Sequence, residues 1–145
     1  MTARFPFVKG HGTENDFVLL PDLDGDLHPE LSPETVRRLT DRYAGLGGDG
    51  VIRVVRSEAI ADGKGQAERA EWFMDYRNAD GSVAEMCGNG VRVLARYLWL
   101  SGLAHGPVLP IATRGGVRTV HADPDGTMTV EMGRATPPRS RALAF

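Results

Sequence analysis

Residues Gly88 to Ser101, "GNGVRVLARYLWLS", constrain the fold more than any other stretch. Val91, Val93, Leu94, Ala95, Tyr97, Leu98, Trp99 and Leu100 leave Arg92 and Arg96 as the only charged breaks. The run has helix length, and Gly102 supplies a stop. A helix that is apolar nearly all round must be covered on most of its sides. The cover has to come from short strands, because little else in the chain has helical period. The expected fold class is therefore α+β, with strands wrapped around one central buried helix.

The strands read as follows. "RFPFVKGHGTENDFVLLPD" gives two short strands around a polar turn from His11 to Asp16. Phe17 to Leu20 are continuously apolar, as in a strand buried on both faces. "GVIRVVR" is a further strand. In "WFMDYR", Trp72, Met74 and Tyr76 fall on one face, with Asp75 and Arg77 on the other. "NADGS" follows as a turn. "VRTVHADPDGTMTVEMG" reads as a hairpin whose Pro-Asp-Gly turn joins Val120 and Ala122 to Met128, Val130 and Met132. "LSPETVRRLTDRYAG" carries helix punctuation: Ser32 as cap, Pro33 at the first position and Leu31 stapling onto Val36. Val36, Leu39 and Tyr43 would share its buried face, with Gly45 ending it. The stretch Ala59–Glu71 is polar and aperiodic, and reads as a surface loop.

Composition narrows the function classes. The 145 residues suit one domain with a real core. Hydrophobic residues at 41%, charged residues at 25% and a net charge of -2 give no field for nucleic acid or a membrane surface. No apolar run reaches the roughly 18–20 residues of a membrane span, and the N-terminus lacks a signal-peptide core. A single cysteine cannot form an internal disulfide, which fits a reducing cytoplasm. "GLGGDG" matches a dinucleotide-binding pattern, but a helix precedes it and a strand follows, the reverse of the required order. It reads as a helix stop and turn. His11, His28, His105 and His121 show none of the close spacings of a zinc site, so no metal site is expected. Lys9 and Lys64 are poorly placed for a pyridoxal Schiff base.

Cys87 immediately precedes Gly88-Asn89-Gly90 at the mouth of the apolar helix. A free cysteine is often a small core hydrophobe. A helix start, however, offers unpaired N–H groups and partial positive charge, which lower a thiol's pKa. Gly88 and Gly90 leave those amides unshielded, and Asn89 adds a donor. The set suits a thiolate beside a carboxylate pocket. Two chemistries fit it. One is acyl transfer, with His11 as the best available base. The other is proton abstraction α to a carboxylate, with the thiolate as base.

"HGTENDFVLL", "GLGGDGV", "YRNADGS" and "MCGNGVR", in this order and spacing, resemble the N-terminal half of the diaminopimelate epimerase family, in its high-GC Gram-positive flavour. The resemblance runs to about Gly133. It implies a β-barrel-like sheet around a central helix. It also implies cofactor-independent interconversion of LL- and meso-2,6-diaminopimelate for lysine and peptidoglycan synthesis. Under it, Cys87 is one of two acid/base thiols, and Gly88 and Asn89 bind the reacting carboxylate. Asn15 and Asn78 hold the polar head groups of the substrate, although Asn78 also suits a plain turn. Gly50 departs from the glutamine of many members. The second thiol and its half are not in these residues. The resemblance thus divides the chain into an epimerase domain, 1–133, and a linker, 134–145, toward a C-terminal domain. It implies a C-terminal half and a homodimer as partners, diaminopimelate as small-molecule substrate, and little or no activity for this chain by itself. The alternatives are another cofactor-independent racemase or isomerase of the superfamily, or a binding domain without turnover.

Overall fold

The computed structural model describes residues 5–12, 15–29, 31–84 and 88–131. Among them, seven strands form one sheet in sequence order: β1 (Val8–His11), β2 (Asp16–Pro21), β3 (Gly50–Arg56), β4 (Trp72–Asn78), β5 (Val108–Thr113), β6 (Gly116–Ala122) and β7 (Met128–Glu131). Neighbours are antiparallel except β2–β3 and β4–β5, which are parallel. Parallel neighbours need a crossover. The first contains helix α1 (Pro33–Thr40), and the second contains α3 (Gly88–Leu100). A short helix α2 (Ala61–Lys64) lies between β3 and β4.

The sheet curls around α3. Val91, Val93, Leu94, Ala95 and Leu98 are buried against Phe17 and Leu19 of β2, Ile52 and Val54 of β3, Trp72, Met74 and Tyr76 of β4, and Leu109, Ile111 and Val120 beyond. The strands therefore wrap the helix along the face of Val91, Leu94, Ala95 and Leu98. Leu100, expected inside with the rest, is 79% exposed, and Tyr97 and Trp99 are only half-buried, because the sheet does not close over the last turn. The outer face of β2 and β3 is covered as well. Val18, Leu20 and Val51 pack with Leu31 and Val36 of the α1 region. Burial on both faces accounts for the unbroken apolar run Phe17–Leu20.

Two further expectations need correction. The helix expected to run to Gly45 ends at Thr40, capped by Asp41. Asp41 Oδ1 accepts the backbone N–H groups of Tyr43 and Ala44 at 2.8 and 3.1 Å. This local turn competes with further helix. Tyr43, expected on the buried face, is fully exposed. The N-terminal end of α1 matches expectation: Ser32 Oγ accepts from Thr35 N at 3.1 Å, and Leu31, Val36 and Leu39 share a cluster. The stretch Ala59–Glu71, expected as surface loop, holds α2 and packs onto the sheet. Ala70 is buried with Val55, Phe73 and Ala112, and Ile60 lies against them. Gln66 donates to the Thr113 carbonyl at 2.8 Å.

The outer face also carries a buried ion cluster. Asp75 is fully buried and meets Arg53, Arg77 and Arg114 at 3.1, 3.0 and 2.8 Å. Arg53 also meets buried Asp22 at 3.1 Å. Burial pushes the Asp75 carboxyl up, but the guanidinium groups of Arg77 and Arg114 outweigh it and hold the group below the ordinary carboxylate range. Asp22 behaves alike: burial is outweighed by the Leu27 and His28 amides and by Arg53.

Candidate functional site

The register gathers polar residues at one end of the sheet. Phe17 pairs with Gly50, and Gly50 pairs with Asn78. The residues just before β2 and β3, and the last residue of β4, therefore lie at the same end. Those residues are Asn15, Asp49 and Asn78. The N-terminus of α3 meets them there. Asn89 Nδ2 donates to Asn15 Oδ1 at 2.7 Å. Two residues 74 positions apart in the sequence are thus in direct contact.

Asp49 extends this contact. Its Oδ2 accepts Asn15 Nδ2 at 3.2 Å and the Asp16 backbone N–H at 3.0 Å. Its Oδ1 accepts Arg42 Nη2 at 3.2 Å. Arg42 also grips Asp16 through two bonds of 2.8 and 3.1 Å, and Lys9 Nζ donates to Asp16 at 2.9 Å. The hydrogen bonds from Arg42 and Lys9 hold the Asp16 carboxyl far below its ordinary range. Lys9 further donates to the Gly47 carbonyl. At the other side, Arg92 Nη1 lies 3.5 Å from Asn89 Oδ1.

Asn78 reaches the same end of the sheet but turns to its own loop. Its Nδ2 donates to Ser82 Oγ at 3.0 Å, and its N–H to the Ser82 carbonyl at 2.9 Å. Asp80 Oδ1 accepts from Ser82 N and Oγ at 2.8 and 2.6 Å, which holds that carboxyl below its ordinary range. Helix α1 clamps the turn through Arg37 to the Asp80 carbonyl at 3.1 Å and Thr40 to the Ala79 carbonyl at 3.2 Å. Gly81 has φ +92°, and a Cβ there would stand 2.6 Å from Pro33 Cβ. Only glycine suits both the conformation and the contact.

Gly50 has a physical reason of its own. A Cβ on it would lie 2.7 Å from the Arg77 carbonyl and 2.7 Å from Tyr76 Cε1. The Tyr76 ring fills the room that a longer side chain would need.

Gly88 opens α3, and a Cβ on it would meet no described atom within 4 Å. Cys87, the expected thiol, lies outside the described residues, as does the stretch expected as linker. Gly45–Gly50 runs from the end of α1 into β3, and Gly47 has φ +80°. That is a turn leading into a strand, without the strand–turn–helix order of a dinucleotide site. His11 is exposed at the end of β1. It borders a groove of about 370 Å³ between β1 and the Arg96–Ser101 flank of α3. It also pairs with Asp16 beside the Asn15–Asn89 contact, where the next residue, Gly12, donates its N–H to the Asn15 carbonyl at 2.8 Å. Among the described residues, no group of three or more His, Cys, Asp or Glu could hold a metal ion. Asp49 and Arg92 were not expected in the site. The signal for Asp49 was a lone carboxylate among four glycines, but its relevance depends on the parallel β2–β3 register.

The family model described as diaminopimelate epimerase matches residues 7–137. The diaminopimelate epimerase of Streptomyces coelicolor is 59% identical over 138 residues, covering 95% of this chain and 47% of that protein. That of Thermobifida fusca is 58% identical, covering 95% and 52%. The chain spans about half the length of the curated relatives it matches. Among solved structures, a PhzF-family phenazine biosynthesis protein of Bacillus anthracis superposes with TM-score 0.58 at 20% identity, covering 86% of this chain and 38% of that one. A hydroxyproline epimerase of Agrobacterium vitis gives TM-score 0.58 at 16% identity, covering 86% and 40%. These two likenesses show a shared fold.

Proposed function

This chain belongs to the diaminopimelate epimerase family, and on that premise we propose that it supplies one thiol-bearing half of an enzyme interconverting LL- and meso-2,6-diaminopimelate. The observation that carries the reading is the 2.7 Å bond between Asn15 and Asn89. It joins a candidate head-group residue to the helix start that follows Cys87 in the sequence.

The chemistry follows from that placement. The Cys87 thiolate takes the α-proton: the C–H bond breaks, the proton goes to sulfur, and its electron pair stays on carbon. Negative charge then spreads onto the carboxylate. The N–H groups of Gly88 and Asn89 at the start of α3 stabilise that charge. Asn15 and Asn78 bind the polar head groups. A second thiol, on a C-terminal half, delivers a proton to the opposite face. Thiols and amides carry the steps, with no cofactor in the scheme.

An amino-acid α-proton is very weakly acidic, so the amides must act in a site from which water is excluded. In bulk water a charge pair about 4 Å apart is worth only about 1 kcal/mol, against several-fold more in a closed site. A single domain leaves the amides open to solvent, so this chain by itself turns over little or nothing. The domain of this reading is 1–133, with 134–145 leading to the partner half. The assembly is a homodimer, and its place is the cytoplasm, where thiols stay reduced. No described helix is long and apolar enough to cross a membrane.

A second reading, a racemase or isomerase acting on another acid, is kept by the fold likeness to the hydroxyproline epimerase. An aziridine analogue of diaminopimelate tests the two. Specific alkylation of Cys87, blocked by diaminopimelate and not by proline, supports the first. Protection by proline or hydroxyproline supports the second. Labelling indifferent to every amino acid refutes both and leaves Cys87 a packing residue.

A further inference from the structure

Asn15 and Asn89 form part of a row of four polar side chains with a charge at each end. Asp49 Oδ2 lies 3.2 Å from Asn15 Nδ2, Asn15 Oδ1 lies 2.7 Å from Asn89 Nδ2, and Asn89 Oδ1 lies 3.5 Å from Arg92 Nη1. A carboxylate only accepts hydrogen bonds, and a guanidinium only donates them. Turning the Asn15 amide over would set its oxygen against the Asp49 carboxylate. Asn89 would then have to turn as well, setting its NH₂ group against Arg92. Both ends therefore demand the same direction, and the two amides cannot invert independently.

Asp49 is itself fixed. The Asp16 N–H at 3.0 Å and Arg42 at 3.2 Å hold its two oxygens, and its own N–H donates to the Asp16 carbonyl at 2.8 Å. We propose that Asp49 and Arg92 are positioning residues that set the hydrogen-bond direction of the Asn15–Asn89 amide pair, so that the pair presents one fixed pattern of donors to the substrate head group. Each amide keeps one N–H outside the row, and the fixed direction decides where those two hydrogens point. The role in substrate binding rests on the epimerase reading above; the polarity of the row does not.

The test has two parts. Side-chain amide signals of the isotope-labelled chain are recorded by NMR for wild type, Asp49→Asn and Arg92→Met. Asp49→Asn is expected to move the signals of Asn15 and also of Asn89, which does not touch Asp49. Asn78, bonded to Ser82, stays in place and certifies the fold. Arg92→Met reads the row from its other end and is expected to move Asn15 through Asn89, while Arg92→Lys, which keeps a donor, restores the wild-type pattern. Signals of Asn89 that ignore Asp49→Asn in a folded chain overturn the row. The second part uses the chain joined with a C-terminal half of a family member. There Asp49→Asn is expected to raise KM for diaminopimelate about tenfold, or about 1.4 kcal/mol, with kcat changed far less, because head-group contacts act on ground and transition states alike. An unchanged KM in a variant with an otherwise active wild type overturns the positioning role. Absent turnover in wild type, with the NMR coupling intact, defeats the epimerase reading and leaves the row standing.

Discussion

Replacing Asp75 by asparagine tests the energetics of the sheet most sharply. Asp75 is 0% exposed and Arg53 4%, and three guanidinium groups converge on the one carboxylate. Asparagine keeps the shape but offers one acceptor oxygen and no charge. Removing one partner of a buried ion pair costs about 3–5 kcal/mol, because the remaining charge stays buried. Asparagine's remaining acceptor places the expected loss near about 3 kcal/mol on that scale. Against a total stability of about 5–15 kcal/mol, the variant still folds at room temperature. With a urea m-value of about 2 kcal/mol per molar, the midpoint falls by about 1.5 M. Trp72, buried on the same strand, reports unfolding by fluorescence. The pH dependence gives a second check. The folded Asp75 carboxyl lies below its unfolded value. Its contribution is therefore complete above about pH 4 and is lost as pH falls through the folded value. The gap between wild type and variant should narrow on acidification. A loss under about 1 kcal/mol at neutral pH, the level of an exposed ion pair, would refute the account of Asp75 as the hub of a buried cluster.

Two further outcomes are expected. Gly81→Ala meets both an unfavourable φ of +92° and Pro33 at 2.6 Å, and should cost at least about 3 kcal/mol in denaturant unfolding; a loss within error would mean that α1 does not clamp the "NADGS" turn. His28 titrates below its ordinary value because of burial, with Asp22 opposing. The unfolded chain thus binds the proton first, so stability should decline as pH falls below about 6.5, and His28→Gln should flatten the pH 5–7 limb of the urea-midpoint profile.

Much of the fold was legible because its signals are local. Ser32-Pro33 marked the start of α1, the two-face burial of Phe17–Leu20 was written as an unbroken apolar run, and the circumference of α3 required a wrapped sheet. Other features depended on competition or distance. The end of α1 was missed because Asp41 captures two backbone amides that helical period does not reveal. Strand β5 was not singled out, and it contains Pro110. The proline is tolerated because the β4 pairing begins only at Ile111. In the site, Asn15 and Asn89 could be nominated from motifs. Asp49 could not, since its carboxylate reaches Asn15 only through the parallel register Phe17–Gly50. Asn78 was nominated with two roles, and the bond to Ser82 is the one its turn explains.

The central claim is that this chain carries one proton-transferring thiol of a two-thiol site. Exchange of the α-hydrogen of LL-diaminopimelate in heavy water tests it most directly, measured for the chain alone, for the chain with a C-terminal half of a family member, and for the same pair carrying Cys87→Ala. The account predicts negligible exchange by the chain alone, exchange at enzymatic rates of about 1–1000 per second in the pair, and its loss with Cys87→Ala. Exchange that persists without the Cys87 thiol would contradict it.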